Sequence, residues 1–124
     1  MSCCSDKMEP LKPASCCTPR DTAQHASHSM RETGCGCSPV VEDTQTRKLV
    51  GVVTERDVVH KVTAEGRAPS EVQVADIMSP VSACCGAEAS LEQAKRKLHE
   101  HNATSLPVVD AGGSCCGTIS VHQL

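Results

Sequence analysis

Apolar positions along the chain fall into two recurring rhythms. Leu49 to Val53, within "KLVGVVTERDVV", is a short β-branched run of strand length. It stops at Thr54, turns charged through Glu55, Arg56 and Asp57, and resumes as Val58, Val59 and Val62, with Gly66 placed as a C-terminal cap. That change of period predicts a strand followed by a helix beginning near Thr54. Small or apolar residues at helical spacing recur twice elsewhere, as Ala23, Ala26 and Met30 and as Leu91, Ala94 and Leu98. Each set predicts one amphipathic helix. Thr22 and Ser90 stand at matching N-cap positions, Ser90 and Gln93 have capping-box spacing, and Gly34 and Asn102 match as helix-ending residues.

These rhythms belong to one internal repeat. "SDKMEP" resembles "ADIMSP", "SCCTPRDTAQHASHSM" resembles "ACCGAEASLEQAKRKL", "SPVVED" resembles "LPVVDA", and "LVGVVT" resembles "CCGTIS". Each copy reads strand, helix, strand, turn, strand, helix. The turn "VEDTQTRK" of the first copy shortens to "VDAGGS" in the second, which predicts a hairpin. The expected organisation is a tail over 1–5, a first repeat over 6–62, a linker over 63–73 and a second repeat over 74–124. The second copy stops at Leu124, the counterpart of Val58, so its closing helix is missing and Val108, Val121 and Leu124 are expected to need another cover.

Composition narrows the function classes. The 124 residues carry a formal charge of −3 and no aromatic residue, which excludes a basic nucleic-acid footprint and base stacking on aromatic platforms. No apolar run approaches membrane-spanning length and "MSCCSDKMEP" lacks a signal-peptide core, so the expected compartment is the cytosol. Val, Leu and Ile supply only 22 residues, which predicts a thin core that draws on a ligand or second subunit for part of its stability.

At the junction after Leu49 to Val53, two readings compete. Free backbone N–H groups favour an anion there, with Asp57 placed to accept from sugar hydroxyls. Alternatively Thr54 caps the helix and Asp57 complements its dipole.

The doubled order of "D-I-M-x-P", "x-P-V-V" and "L-V-G-V-V-T-E-R-D-V-V" resembles the cystathionine-β-synthase (CBS) domain family in its tandem form, the Bateman module, over about Asp6 to Leu124. The resemblance implies an α/β (α+β) fold of two β-α-β-β-α repeats packed with pseudo-two-fold symmetry. It also implies clefts for an adenine nucleotide or other adenosyl ligand of the AMP, ATP or S-adenosylmethionine class, and a homodimer or a regulated partner enzyme. By resemblance, Thr54 and Asp57 hold phosphate and ribose, Arg56 assists, and Val81, Thr104, Ser105, Leu106 and Pro107 form the partner wall. Thr104 and Ser105 stand where many nucleotide binders carry His or Arg, which weakens the case for a polyphosphate. The second cleft would use Ser120 and Gln123, opposite Gly36, Cys37 and Pro39, and Gln is a poorer ribose acceptor than Asp. One competent and one doubtful site are expected.

Ten Cys form five close pairs, four of them vicinal, which is not zinc-knuckle or thioredoxin spacing. They read as small core residues, with Cys3 and Cys4 the expected exposed thiols. The alternative is a cysteine-rich metal-binding or redox-responsive module on the same scaffold. His25 and His28 are expected to face water. No catalytic or metal-ligand set is identified, and an enzyme is not expected.

Overall fold

The computed structural model describes residues 3–12, 15–81 and 83–121. Gln123 and Leu124 lie outside that range.

Helix α2 (Ala23–Thr33) starts where the Thr22 hydroxyl accepts from the His25 N–H at 3.1 Å, and ends at Gly34 with φ +71°. Helix α5 (Leu91–Glu100) starts with a reciprocal Ser90 and Gln93 capping box and is followed by Asn102 at φ +52°. Both helices end in the left-handed conformation that their sequences predict. Ala23, Ala26 and Met30 are buried, as are Ala94 and Leu98. The hairpin strands β2 (Cys37–Val41) and β3 (Leu49–Thr54) pair antiparallel in the first half, and β5 (Ser105–Val109) and β6 (Cys115–Ser120) do so in the second.

Leading segments precede the β-α-β-β run of each repeat. Each is a single helical turn, α1 (Cys4–Lys7) or α4 (Val74–Ile77), and only the first runs on into a two-residue strand, β1 (Glu9–Pro10). Each leader packs on the other repeat. Strand β1 pairs with β6, and the Cys4 N–H donates to Ala89 O at 2.9 Å. Ser79, following α4, exchanges backbone bonds of 2.8 and 3.0 Å with Val52 on β3. The exchange covers the outer edge of each hairpin, which would otherwise expose unpaired backbone groups. On the inner side, β4 (Cys85–Gly86) pairs parallel with β5, and Cys17 bridges to Val40 in the equivalent place.

Two cores result. One joins Ala23, Ala26, Met30, Val40, Val53 and Val62 with Val72, Val74 and Ile77 from the linker and second leader. The other joins Cys4 from the first leader with Cys85, Ala94, Leu98, Leu106, Val108 and Ile119. Val108, expected to lack cover, is therefore fully buried beneath the exchanged leader. Val121 is 45% exposed.

The halves meet around a pseudo-two-fold axis. The Leu49 N–H donates to Gly113 O at 3.2 Å and the Cys115 N–H to Arg47 O at 2.7 Å, a reciprocal pair between repeat-equivalent positions. Cys37 and Ser105, also equivalent, bring Sγ and Oγ to 3.2 Å.

Seven of the ten thiols are buried, which agrees with their reading as core residues. Cys4 is one of them, because the exchanged leader carries it inward, and so only Cys3 of that pair is partly exposed. His25 likewise departs from expectation: it is half-buried, with Nε2 3.1 Å from Cys16 O, whereas His28 is exposed.

Candidate functional site

Strand β3 ends at Thr54, whose hydroxyl accepts from the Asp57 N–H at 3.1 Å, while Asp57 Oδ2 accepts from the Thr54 N–H at 3.0 Å. This capping box opens helix α3 (Glu55–Val58), which continues as a π-helical turn over Val59–Thr63. The capping reading of the junction is thus the one realised. Val62 on that turn is buried, Val58 is half-buried and Val59 is 54% exposed.

The Asp57 carboxylate has further partners. The Ser79 hydroxyl donates to its two oxygens at 3.0 and 3.2 Å, and Lys61 Nζ lies 3.0 Å from Oδ1. Burial alone would raise its pKa. The Thr54 N–H, then Lys61 and Ser79, outweigh that and hold the carboxyl below its usual range. Lys61 also donates to Ile77 O at 3.0 Å. Asp57 and Lys61 therefore fasten the second leader onto the first repeat.

Across from this wall, the left-handed turn at Asn102 leads into Thr104, Ser105, Leu106 and Pro107 at the start of β5. Between the walls lies a cleft of about 750 Å³, in the range typical for small-molecule sites. Of the residues expected to bind ligand, Thr54, Arg56, Thr104, Ser105 and Pro107 line it. Asp57 does not: its buried carboxylate sits behind Thr54 and Ser79, which do. Val81 and Ser120 are not among the lining residues either, and Ser120 is buried.

Sequence reasoning missed Glu55, Ser79, Pro80 and His101, and it put Gly36 and Cys37 opposite Ser120, whereas they line this cleft. Gly36 and Cys37 lie beside the pseudo-axis, where a residue close to its own repeat equivalent reaches the opposite half. The motif spacing around Ser79 gave no sign that its partner was in the other repeat.

The pseudo-equivalent positions behave differently. Val52 and Ala103 line the open cleft, but their counterparts, Thr118 and Cys35, are buried and touch, with Oγ1 and Sγ 3.5 Å apart. The second cleft is closed at that point. Among the described residues, no three His, Cys, Asp or Glu side chains form a group that could hold a metal ion. No helix among them is long and apolar enough to cross a membrane.

The repeat and its pseudo-symmetry have a counterpart in known proteins: the sequence model for the CBS domain matches residues 8–64 and again 74–124. The chain belongs to the CBS domain family. It is a tandem CBS pair, 30% identical over 107 residues to an uncharacterized protein of Methanopyrus kandleri, covering 86% of this chain and 54% of that one. It is 34% identical over 108 residues to inosine-5'-monophosphate dehydrogenase of Streptococcus pyogenes, covering 86% of this chain and 21% of the enzyme. The CBS pair thus spans about half and about a fifth of those two relatives. Among solved structures, CBSX2 in complex with AMP is similar at a TM-score of 0.74 and 27% identity, covering 98% of this chain and 91% of that one.

Proposed function

We propose that this CBS pair is a ligand-sensing regulatory module that binds an adenosyl compound between its repeats and changes its association with itself or with a partner enzyme. The observation that carries this reading is the large cleft between the halves, lined by Thr54 and Arg56 from one repeat and Thr104, Ser105 and Pro107 from the other. Its support from relatives is the AMP complex of CBSX2. A ligand in this cleft touches both repeats and the fastened leader. It therefore binds one arrangement of the halves better than another, which is the thermodynamic requirement for a switch. Asp57 serves the site by holding Thr54 and Ser79 in place. Ser120, expected at the second cleft, is buried there beside the closed contact of Cys35 and Thr118.

A homodimer fits the same picture. The hollow beside Leu98, Asn102, Ala103 and Val121 has its repeat equivalent beside Met30, Gly34, Val58 and Val59, of about 480 and 510 Å³. A second copy meeting these twin faces would bury the exposed Val59 and Val121. The thiol-based alternative is the weaker reading, because burial pushes Cys17 and Cys115 up to about 12 and Cys37 and Cys85 up to about 11, away from reactive thiolate.

A thermal-shift screen of AMP, ATP, adenosine, 5'-methylthioadenosine and S-adenosylmethionine tests the proposal. Ligand at a hundred times its Kd should stabilise the folded chain by about 2.7 kcal/mol. No shift with any of them would remove the adenosyl reading.

A further inference from the structure

The junction between β3 and α3 has little left to offer an anion. The Thr54 N–H is taken by Asp57 Oδ2 at 3.0 Å, the Glu55 N–H by Gly36 O at 3.1 Å and the Asp57 N–H by the Thr54 hydroxyl at 3.1 Å. Three backbone donors that could have cradled a phosphate chain are thus already satisfied within the fold.

Side-chain charge at the cleft points the same way. Arg56 is the only Lys or Arg among the described lining residues, and Thr104 and Ser105 supply neutral hydroxyls on the opposite wall. Glu55 lines the cleft beside Arg56. Its carboxyl carbon lies 3.9 Å from where a Cβ on Gly36 would stand, and that same point is 3.2 Å from Thr104 Oγ1. The Glu55 carboxyl carbon and the Thr104 hydroxyl thus face the same point at Gly36, within about 7 Å of each other where the two repeats meet. One guanidinium against one carboxylate, with His101 the only imidazole among the described lining residues, suits a ligand with a single phosphate or none. Each added phosphate brings negative charge toward Glu55, and the Thr54, Glu55 and Asp57 N–H groups are already engaged.

We infer that the cleft selects adenosyl ligands carrying at most one phosphate over those with a phosphate chain, and that Glu55 is a specificity-determining residue for that choice. The inference rests on the proposed adenosyl function and narrows it.

The test is equilibrium dialysis of the full chain with radiolabelled 5'-methylthioadenosine, AMP and ATP, in EDTA at pH 8. The tighter of methylthioadenosine and AMP is expected to bind at least tenfold better than ATP. Glu55→Gln, at an exposed position, is expected to shrink that ratio at least fivefold, and Glu55→Arg to shrink it further. ATP binding within tenfold of the better ligand overturns the selection against phosphate chains. An unchanged ratio in both variants overturns the role of Glu55. If none of the three ligands binds, the adenosyl reading falls and this inference falls with it.

Discussion

The Ser79 hydroxyl donates to both carboxylate oxygens of Asp57, at 3.0 and 3.2 Å, across an interval of 22 residues. Ser79 belongs to the leader of the second repeat and Asp57 to the closing helix of the first, so the contact locks the exchange of leaders. Asp57→Ala also removes the capping box, and should cost about 3 kcal/mol, against about 1 kcal/mol for Ser79→Ala. Urea unfolding of the two variants checks the ranking. Equal losses would show that the cap and Lys61 add nothing to the Ser79 contact.

The same carboxylate sets an acid limit. Its folded pKa lies below its ordinary value of 3.8, so its stabilisation is present above that value and is lost as pH falls through the lower, folded one. Melting temperatures from pH 5 downward should fall less steeply for Asp57→Asn than for the parent chain.

Thiols set the opposite limit. Cys17 and Cys115 are pushed up to about 12 by burial, from an ordinary 9.0, so the unfolded chain ionises them first as pH rises. Their contribution is complete below pH 9.0 and is lost as pH climbs toward about 12. A melt series under reducing conditions should therefore show a falling midpoint above pH 9, shallower in Cys17→Ala. At pH 8, iodoacetamide should label the half-buried Cys3, Cys84 and Cys116 before the seven buried thiols, read by peptide mass spectrometry.

Gly51 leaves room for the second leader. A Cβ there would lie 3.0 Å from Ser79 O and 3.2 Å from Met78 Sδ, and the first of these is backbone that cannot turn aside. Gly51→Ala should destabilise by about 1–3 kcal/mol. Hydrogen exchange over 74–80 should rise more than exchange in α2. Uniform protection would contradict the close approach.

Ligand stoichiometry should be one per chain. Cys35 and Thr118 touch at 3.5 Å on the second side, where Ala103 and Val52 leave the first side open. Calorimetry with the best ligand of the screen should give a single class of sites, and two equal sites per chain would show that this contact opens on binding.

Association of two copies should depend on the two exposed valines. Val59→Asp and Val121→Asp put charge on the twin hollows, and each should shift sedimentation at micromolar concentration from dimer to monomer without lowering the melting point of the monomer. A parent chain that sediments as a stable monomer would remove the dimer.

The chain's own pattern determined the local structure. Thr22, Ser90, Gly34 and Asn102 fix both long helices because caps and left-handed ends depend only on neighbouring backbone. The same holds for the strand ending at Thr54, whose cap partner Asp57 is three residues away. Repetition along the chain likewise made two similar halves legible, and it was the resemblance to the CBS family that implied their pairing about a pseudo-two-fold axis. Tertiary structure alone decided which half each leader joins, because the edges of β3 and β6 are equivalent in sequence and only chain reach and packing choose between them. That choice buried Cys4 and Val108 and turned Asp57 from the cleft toward Ser79, while the meeting of equivalent residues at the pseudo-axis brought Gly36 and Cys37 into the cleft. Contacts of this kind join residues far apart in sequence, so no local spacing records them.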